Sequence, residues 1–329
     1  VGNEEIRSKV WRKGKVVEEN FEFERLSDFL ADDSCVVWMD VTSPDNKMLQ
    51  ALANELSLDQ NAVEDAVEAR ERPKLTHYAD YKFLTAYSVS LTAEDPTIKL
   101  GRVSAFVMPN ALVTVRADHD FDMGPVLKRW DDTGELVEHG VGALMHGLLD
   151  VIVDGHFDAV QILDDALESL EDDLFEEKPQ TKQVQRHSFE LRKSLVRLRR
   201  VVLPMREVVG GMQRHDDTKH HWDPELDSYF QDLYDHVLRA SEWTESLRDM
   251  ISTIFETNLS LSDTRMNVVM KKLTSWAAII AVPTAITGFY GQNVPYPGFN
   301  QHSGFYASTA VIVVLVVGLY VGFRRKDWL

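Results

Sequence analysis

Two stretches near the C-terminal end, Leu273 to Tyr290 and Phe305 to Phe323, contain no charged residue. Each runs for about 18 to 20 residues, the length at which a helix crosses a hydrocarbon layer. A chain holding two such stretches so close together is constrained to a hairpin of membrane helices, with lipid as its surroundings there. The second is rich in Val, Leu, Ile and Gly, whereas the first contains Thr, Ser, Pro and Gly. The loop between them, Val294 to Gly304, has no Lys or Arg, while Lys271-Lys272 and Arg324-Arg325-Lys326 flank the outer ends. That distribution of positive charge predicts a multi-pass protein of the cell inner (plasma) membrane with both termini cytoplasmic.

The rest of the 329-residue chain is long enough to bury a substantial core. Its 53 acidic against 35 basic residues give a formal charge of -18, which disfavours nucleic acid and attracts cations. One cysteine, Cys35, sits beside the apolar run Val36-Val37-Trp38-Met39, which reads as core and offers neither a disulfide framework nor a thiolate metal site. Val1-Gly2-Asn3-Glu4-Glu5 lacks an apolar signal core, so nothing there predicts secretion. Val36 to Val41, Lys82 to Leu91 and Arg102 to Ala117, the last with a Pro109-Asn110 turn, are rich in β-branched and aromatic residues and predict strands. Asp45 to Ser57 and Phe121 to Val137 carry helical patterns, so residues 1–140 read as an α/β layered domain. Ala143 to Glu177, Thr181 to Val209 and Glu225 to Tyr290 predict three long helices. A helix as long as the last needs neighbours, from this chain or from copies of it, and a homo-oligomer is expected. The resulting division is 1–140 (α/β), 141–224 (an acidic and a basic helix), 225–272 (stalk), 273–293 (first span), 294–304 (loop), 305–323 (second span) and 324–329 (basic tail).

Stepping from Glu256 by the helical repeat gives Ser260, Asp263, Asn267, Met270, Thr274, Ala277, Ala281, Thr284, Gly288 and Gly291, a face that is small, polar or flexible throughout. The opposite face carries Leu273, Trp276, Ile279, Ile280, Val282, Ile286 and Phe289. Small residues permit close helix packing in membranes, and that alone accounts for one reading. In the other, copies of the face surround an axial path where amide, hydroxyl and carbonyl oxygens meet a hydrated cation and Met270 narrows it. Mg2+ releases its water reluctantly and is held through that water by neutral oxygens, so no acid is needed within the span. Asn293 would then offer amide oxygens at the outer mouth, Asn267 would do so near the inner end, and Glu256 would draw ions at the exit.

Tyr290-Gly291-Gln292-Asn293, the short loop, the second span and the ending Phe323-Arg324-Arg325-Lys326-Asp327-Trp328-Leu329 together resemble the CorA family of magnesium and cobalt channels. Arg72-Pro73-Lys74, Leu203 to Glu207, Tyr229 to His236 and Arg265 to Met270 also resemble family segments, in the expected order. The resemblance implies an α+β cytoplasmic domain of α/β/α layers, very long stalk helices and two C-terminal membrane helices. The assembly it implies is a funnel-shaped homopentamer whose first membrane helices line the pore. Asn267, Met270, Thr284, Gly291 and Asn293 fall on matching positions of the pore helix. One departure bears on the ion: the family's Gly-Met-Asn signature here reads Gly291-Gln292-Asn293, replacing an apolar side chain with a polar one. Variants at that middle position occur in relatives that move zinc. The loop also lacks the acidic residue common there and has Pro295, Pro297 and His302 nearby.

By the same resemblance, Asp232 matches a position that shares a regulatory divalent ion with an acid of the neighbouring subunit, with Glu94 or Asp95 as the partner and Asp235 as a further contributor. Inter-subunit carboxylates repel one another when the ion is scarce and are bridged when it is plentiful, which would close the channel. The alternative is that Asp232 and Asp235 only solvate an exposed helix. The acids Asp164, Asp165, Glu168, Glu171, Asp172, Asp173, Glu176 and Glu177 either concentrate cations or pair with Arg192, Lys193, Arg197, Arg199 and Arg200 across two antiparallel helices. His215-Asp216-Asp217 with His220-His221 has zinc-ligand chemistry in an irregular, loop-like setting. The expectation is passive, gated flux of Mg2+ and Co2+ without enzymatic chemistry, since no GxxxxGK[ST] loop is present to power a pump. A Zn2+ transporter of the same fold, with or without proton coupling, and a non-conducting membrane-anchored scaffold or sensor are the rival readings.

Overall fold

The computed structural model describes residues 6–68, 71–92, 95–175, 181–213, 223–292 and 295–329. The chain divides into two compact units, Val1–Ser252 and Thr253–Leu329.

The first unit is built on a seven-stranded sheet. In chain order its elements are β1 (Ile6–Arg12), β2 (Lys15–Glu19), α1 (Leu26–Leu30), β3 (Cys35–Thr42), α2 (Asn46–Glu55), α3 (Gln60–Val67) and β4 (Lys74–His77). They continue with β5 (Lys82–Ser90), β6 (Lys99–Val107), β7 (Ala111–Arg116), α4 (Gly124–Asp132), α5 (Val141–Phe175), α6 (Thr181–Gln213) and α7 (Asp227–Tyr290). The spatial order is β2-β1-β3-β7-β6-β5-β4, and β3 beside β7 is the parallel pair among antiparallel neighbours. That parallel pair requires a crossover, which α2, α3 and the β4–β6 meander supply.

Alternation along each strand assigns the two faces. On β3, Val37, Met39 and Val41 join a core with Leu26, Met48, Leu52, Ala62 and Ala66 from α1 to α3. The intervening Trp38 points the other way, into a core shared with Trp130 of α4, Leu144 and Leu148 of α5, Met205 of α6 and Phe230 of α7. Helices therefore cover both faces, giving the expected α/β/α layers. The indoles of Trp11 and Trp38 meet Trp130 edge-on at 6.1 and 5.2 Å, and the Trp130 N–H donates to the Leu144 carbonyl at 2.9 Å. Asp45 and Asp59 cap α2 and α3 by accepting from the Met48 and Asn61 amides.

The Pro109-Asn110 turn joins β6 to β7 as its residues predict, closed by the Met108 amide on the Ala111 carbonyl. Phe121 to Val137 is not one helix: α4 stops at Asp132 and a 3-10 segment, Gly134–His139, follows. The β1–β2 hairpin, turning through Lys13 and Gly14 at positive φ, was not anticipated from the sequence. Cys35 is buried.

The second unit holds the C-terminal part of α7, the loop after it and α8 (His302–Arg325). Both α7 and α8 are long and apolar enough to cross a membrane. Leu273 is 64% exposed, Ile280 64% and Val314 68%, a distribution that suits lipid and not water.

Candidate ion-conduction site

Along α7 the sequence stripe lies on a single exposed face. Glu256, Ser260, Asp263, Asn267, Met270, Thr274, Ala277, Ala281, Thr284 and Gly288 are all exposed within the chain, and a methyl group added at Gly288 would meet nothing within 4 Å. A different face is buried, through Ser275 and Ile279. Stripe side chains thus remain exposed toward whatever adjoins this helix in an assembly.

The hydroxyls have a fixed sense. Thr284 Oγ1 donates to the Ile280 carbonyl at 3.0 Å, and Thr287 Oγ1 donates to Pro283 at 2.8 Å. A hydroxyl whose proton is held by its own helix presents only lone pairs outward. Pro283 lies inside α7 and carries no N–H, so the Ile279 carbonyl, four residues back, loses its usual intrahelical donor. That carbonyl lies on the buried side of the helix with Ile279, whereas the stripe itself offers the Thr284 hydroxyl oxygen among small side chains, which suits a hydrated cation.

At the end of the helix the Gly291 amide donates to the Thr287 carbonyl at 2.8 Å and the Gln292 amide to Phe289 at 3.2 Å. A Cβ at Gly291 would stand 3.1 Å from the Thr287 oxygen, so the turn favours glycine by space. Asn293 lies outside the described residues, as do Glu94 and the histidines 215, 220 and 221. His302 begins α8 and is exposed.

The expected regulatory carboxylates sit in the first unit. Asp232 is 75% exposed on α7, with His236 Nε2 3.9 Å away, and Asp235 accepts from Gln231 at 3.2 Å. Asp95 is exposed, and its hydrogen bonds from Thr97 hold its carboxyl below the usual range. It lines a cleft of about 650 Å³ with Asp165, Asp173, His187 and Glu190, and Asp232 is not among the lining residues. Asp232 and Asp95 thus do not line that cleft together. Near Asp232, His146 packs edge-on against Tyr229 and Phe230, and burial pushes its pKa down. Burial pushes Asp150 up, against the pull of Arg129, which binds it at 2.6 Å.

Two further expectations meet the geometry differently. Among the described residues, no ion pair joins the acids of α5 to the basic residues of α6; Arg199 instead binds Glu245 of α7. A group that sequence reasoning did not single out is Asp65, Glu68 and Glu71, whose carboxylates converge, but the Lys74 ammonium already sits on Asp65 and Glu71 at 2.6 and 2.7 Å.

A layered α/β domain, a helix of 64 residues and a second apolar helix define a membrane protein with a large soluble part. Residues 33–325 match the family described as CorA-like Mg2+ transporter protein, and the chain belongs to that family. It is 28% identical over 301 residues to the cobalt/magnesium transport protein CorA of Thermotoga maritima, covering 91% of this chain and 85% of that one. It is 24% identical over 313 residues to the zinc transport protein ZntB of Yersinia enterocolitica, covering 91% and 89%. The complete structure of the CorA magnesium transporter from Methanocaldococcus jannaschii superposes with a TM-score of 0.76 at 24% identity, covering 98% of both chains, and so shares the fold.

Proposed function

We propose that this protein is a passive, gated path for Mg2+ and Co2+, formed by five copies whose α7 stripes surround a common axis. The observation that carries this reading is the exposed face running from Asn267 through Met270, Thr274, Thr284 and Gly288 to Gly291, which combines amide and hydroxyl oxygens with small residues and the one bulkier Met270, without a carboxylate inside the span. Such a face holds a hydrated dication through its water and lets it go again. In this reading Gly291, Gln292 and Asn293 form the outer ring, both termini are cytoplasmic, and the driving force is concentration and membrane potential. Asp232, with Asp235 and with Glu94 or Asp95 of a neighbour, binds intracellular Mg2+ and favours the closed state. The metal ions are cargo and regulator, and the flux involves no covalent step.

The test is uptake of Mg2+, Co2+ and Zn2+ into proteoliposomes under an inside-negative potential, with wild type and Asn293→Ala compared. Mg2+ and Co2+ entry that disappears in Asn293→Ala at unchanged oligomer size is the expected result. Gln292 and the likeness to a zinc transport protein favour a second reading, Zn2+ transport by the same fold, and zinc-only, pH-dependent entry would establish it. Absence of any flux from a folded oligomer would return the hairpin to the role of an anchor for a scaffold or sensor.

A further inference from the structure

β3 and β7 lie side by side and run the same way, yet the chain leaves them toward opposite faces of the sheet. After β3 it enters α2 and α3, which pack on the face of Val37 and Met39, whereas after β7 it enters α4 and α5, on the face of Trp38. Where neighbouring parallel strands diverge in this way a crevice opens outside their carboxyl ends, and layered α/β domains hold ligands in such crevices. A cavity of about 230 Å³ lies at that place. Its walls include Thr42, the last residue of β3, and Arg116, the last of β7, with Arg7, His119 and Asp122 beside them.

Strand register gathers the polar groups. Arg7 stands opposite Asp40 across β1 and β3, and Thr42 opposite Arg116 across β3 and β7, so all four share the Trp38 side of the sheet. Of the five N–H groups of Arg116, Nε and one terminal nitrogen reach Asp40, that nitrogen also reaches Thr42, and the other terminal nitrogen donates to the Phe121 carbonyl at 2.8 Å. One N–H is left over on this buried side chain, while Asp40 and Arg116 cancel each other's charge. Arg7 and His119 are exposed, and among the described residues neither side chain has a hydrogen bond or an ion pair. Asp122 is the acid in the wall, and its carboxylate accepts from the Gly124 amide at 2.8 Å.

Donors are thus supplied from β1, from the end of β7 and from the loop beyond it. A carboxylate has two acceptor oxygens in one plane, whereas donors on three separate pieces of backbone suit the oxygens of a tetrahedral anion. We propose that the crevice at the ends of β3 and β7 binds a small phosphorylated anion, with Arg7, His119 and the remaining Arg116 N–H donating to the phosphoryl oxygens and Asp122 limiting the charge it accepts. The site lies wholly within the first unit and does not rest on the pore reading.

The experiment is calorimetric titration of the full chain in detergent, free of divalent ions and at constant ionic strength, with inorganic phosphate, glycerol phosphate and acetate in turn. The wild type is expected to bind one phosphoryl anion per chain and to give no saturable heat with acetate. Phosphate binding tighter than the ester identifies the free ion as the ligand, and the reverse order a phosphorylated metabolite. Arg7→Gln should weaken the binding about tenfold, the scale of one lost charge-assisted hydrogen bond. Asp122→Asn, which keeps an oxygen for the Gly124 amide, should tighten it. Should Arg7→Gln fail to assemble, His119→Gln decides: weaker phosphate binding counts for the site and unchanged binding against it. No saturable binding of either phosphate, acetate binding as tight as phosphate, or equal affinity in wild type, Arg7→Gln and Asp122→Asn would overturn the proposal. Arg116 is left intact throughout because it also holds Asp40, and the flux of Asn293→Ala tests the pore separately.

Discussion

Asp40 is fully shielded from solvent on β3, and its charge is met almost entirely by one neighbour. Arg116 Nε donates to both Asp40 oxygens at 3.1 Å, a second guanidinium nitrogen reaches Thr42, and Thr114 adds a hydroxyl at 2.7 Å. Removing one partner of such a pair strands the other in a medium that cannot solvate it, at a cost of about 3–5 kcal/mol. Arg116→Met should therefore destabilise the soluble unit by that order in a denaturant titration, while Asp40→Asn/Arg116→Met together should lose less than the single changes summed. At the rim, His139 binds Asp223 through Nδ1 at 2.8 Å, and this raises its pKa above the ordinary value and lowers that of Asp223. The contribution of His139 is complete below its unfolded pKa of about 6.5 and is lost as pH rises through the raised folded value. Thermal melts should accordingly show His139→Gln costing more stability at pH 6 than at pH 9, and an equal cost at both would remove the ion pair as its cause. Neither group was legible in the sequence, because strand alternation marks Asp40 and Arg116 as inward but cannot tell which inward charges meet. Asn267, Met270 and Thr284 were legible, since a helical period alone sets them on one line.

Within elements, the long helices and the central strands could be read from the sequence because each has a sustained period. The β1–β2 hairpin could not, because β2 is a short edge strand whose burial alternates too weakly, through exposed Val16 and Val17, to mark it as buried sheet. The break between α4 and the 3-10 segment at Gly134 was missed for a related reason: Val137 sits on the apolar face that a continued helix would also use. Pro283 was visible throughout, but its effect belongs to the element, since the missing N–H leaves the backbone of α7 weaker at one place. Pro283→Ala restores a donor for the Ile279 carbonyl. Slower amide hydrogen exchange over residues 280–287 is the expected outcome in that variant, measured in detergent or nanodiscs. Exchange as fast as in wild type would mean that other groups already satisfy the Ile279 carbonyl.

For the whole molecule, the position of Asp232 on an exposed helix face of the first unit, apart from the cleft that holds Asp95, makes its proposed metal site a property of the assembly. Asp232→Ala is expected to keep Mg2+ flux high when the liposome interior is preloaded with millimolar Mg2+, a condition that should slow the wild type. Equal slowing of both would take Asp232 out of the gate. Sequence alone reached the two apolar helices and the layered domain, whose signals are local, whereas a metal site shared between copies, as proposed for Asp232, would leave no period to read. The back-bonded hydroxyl of Thr284 has a consequence at this scale too. With its proton committed to Ile280, it has none to give a chloride or phosphate ion, while its lone pairs still accept from the water around a cation. In the proposed pore, copies of Thr284 about the axis would disfavour an anion at that level without a formal charge there, so that the direction of a hydrogen bond would help to choose the sign of the permeating ion.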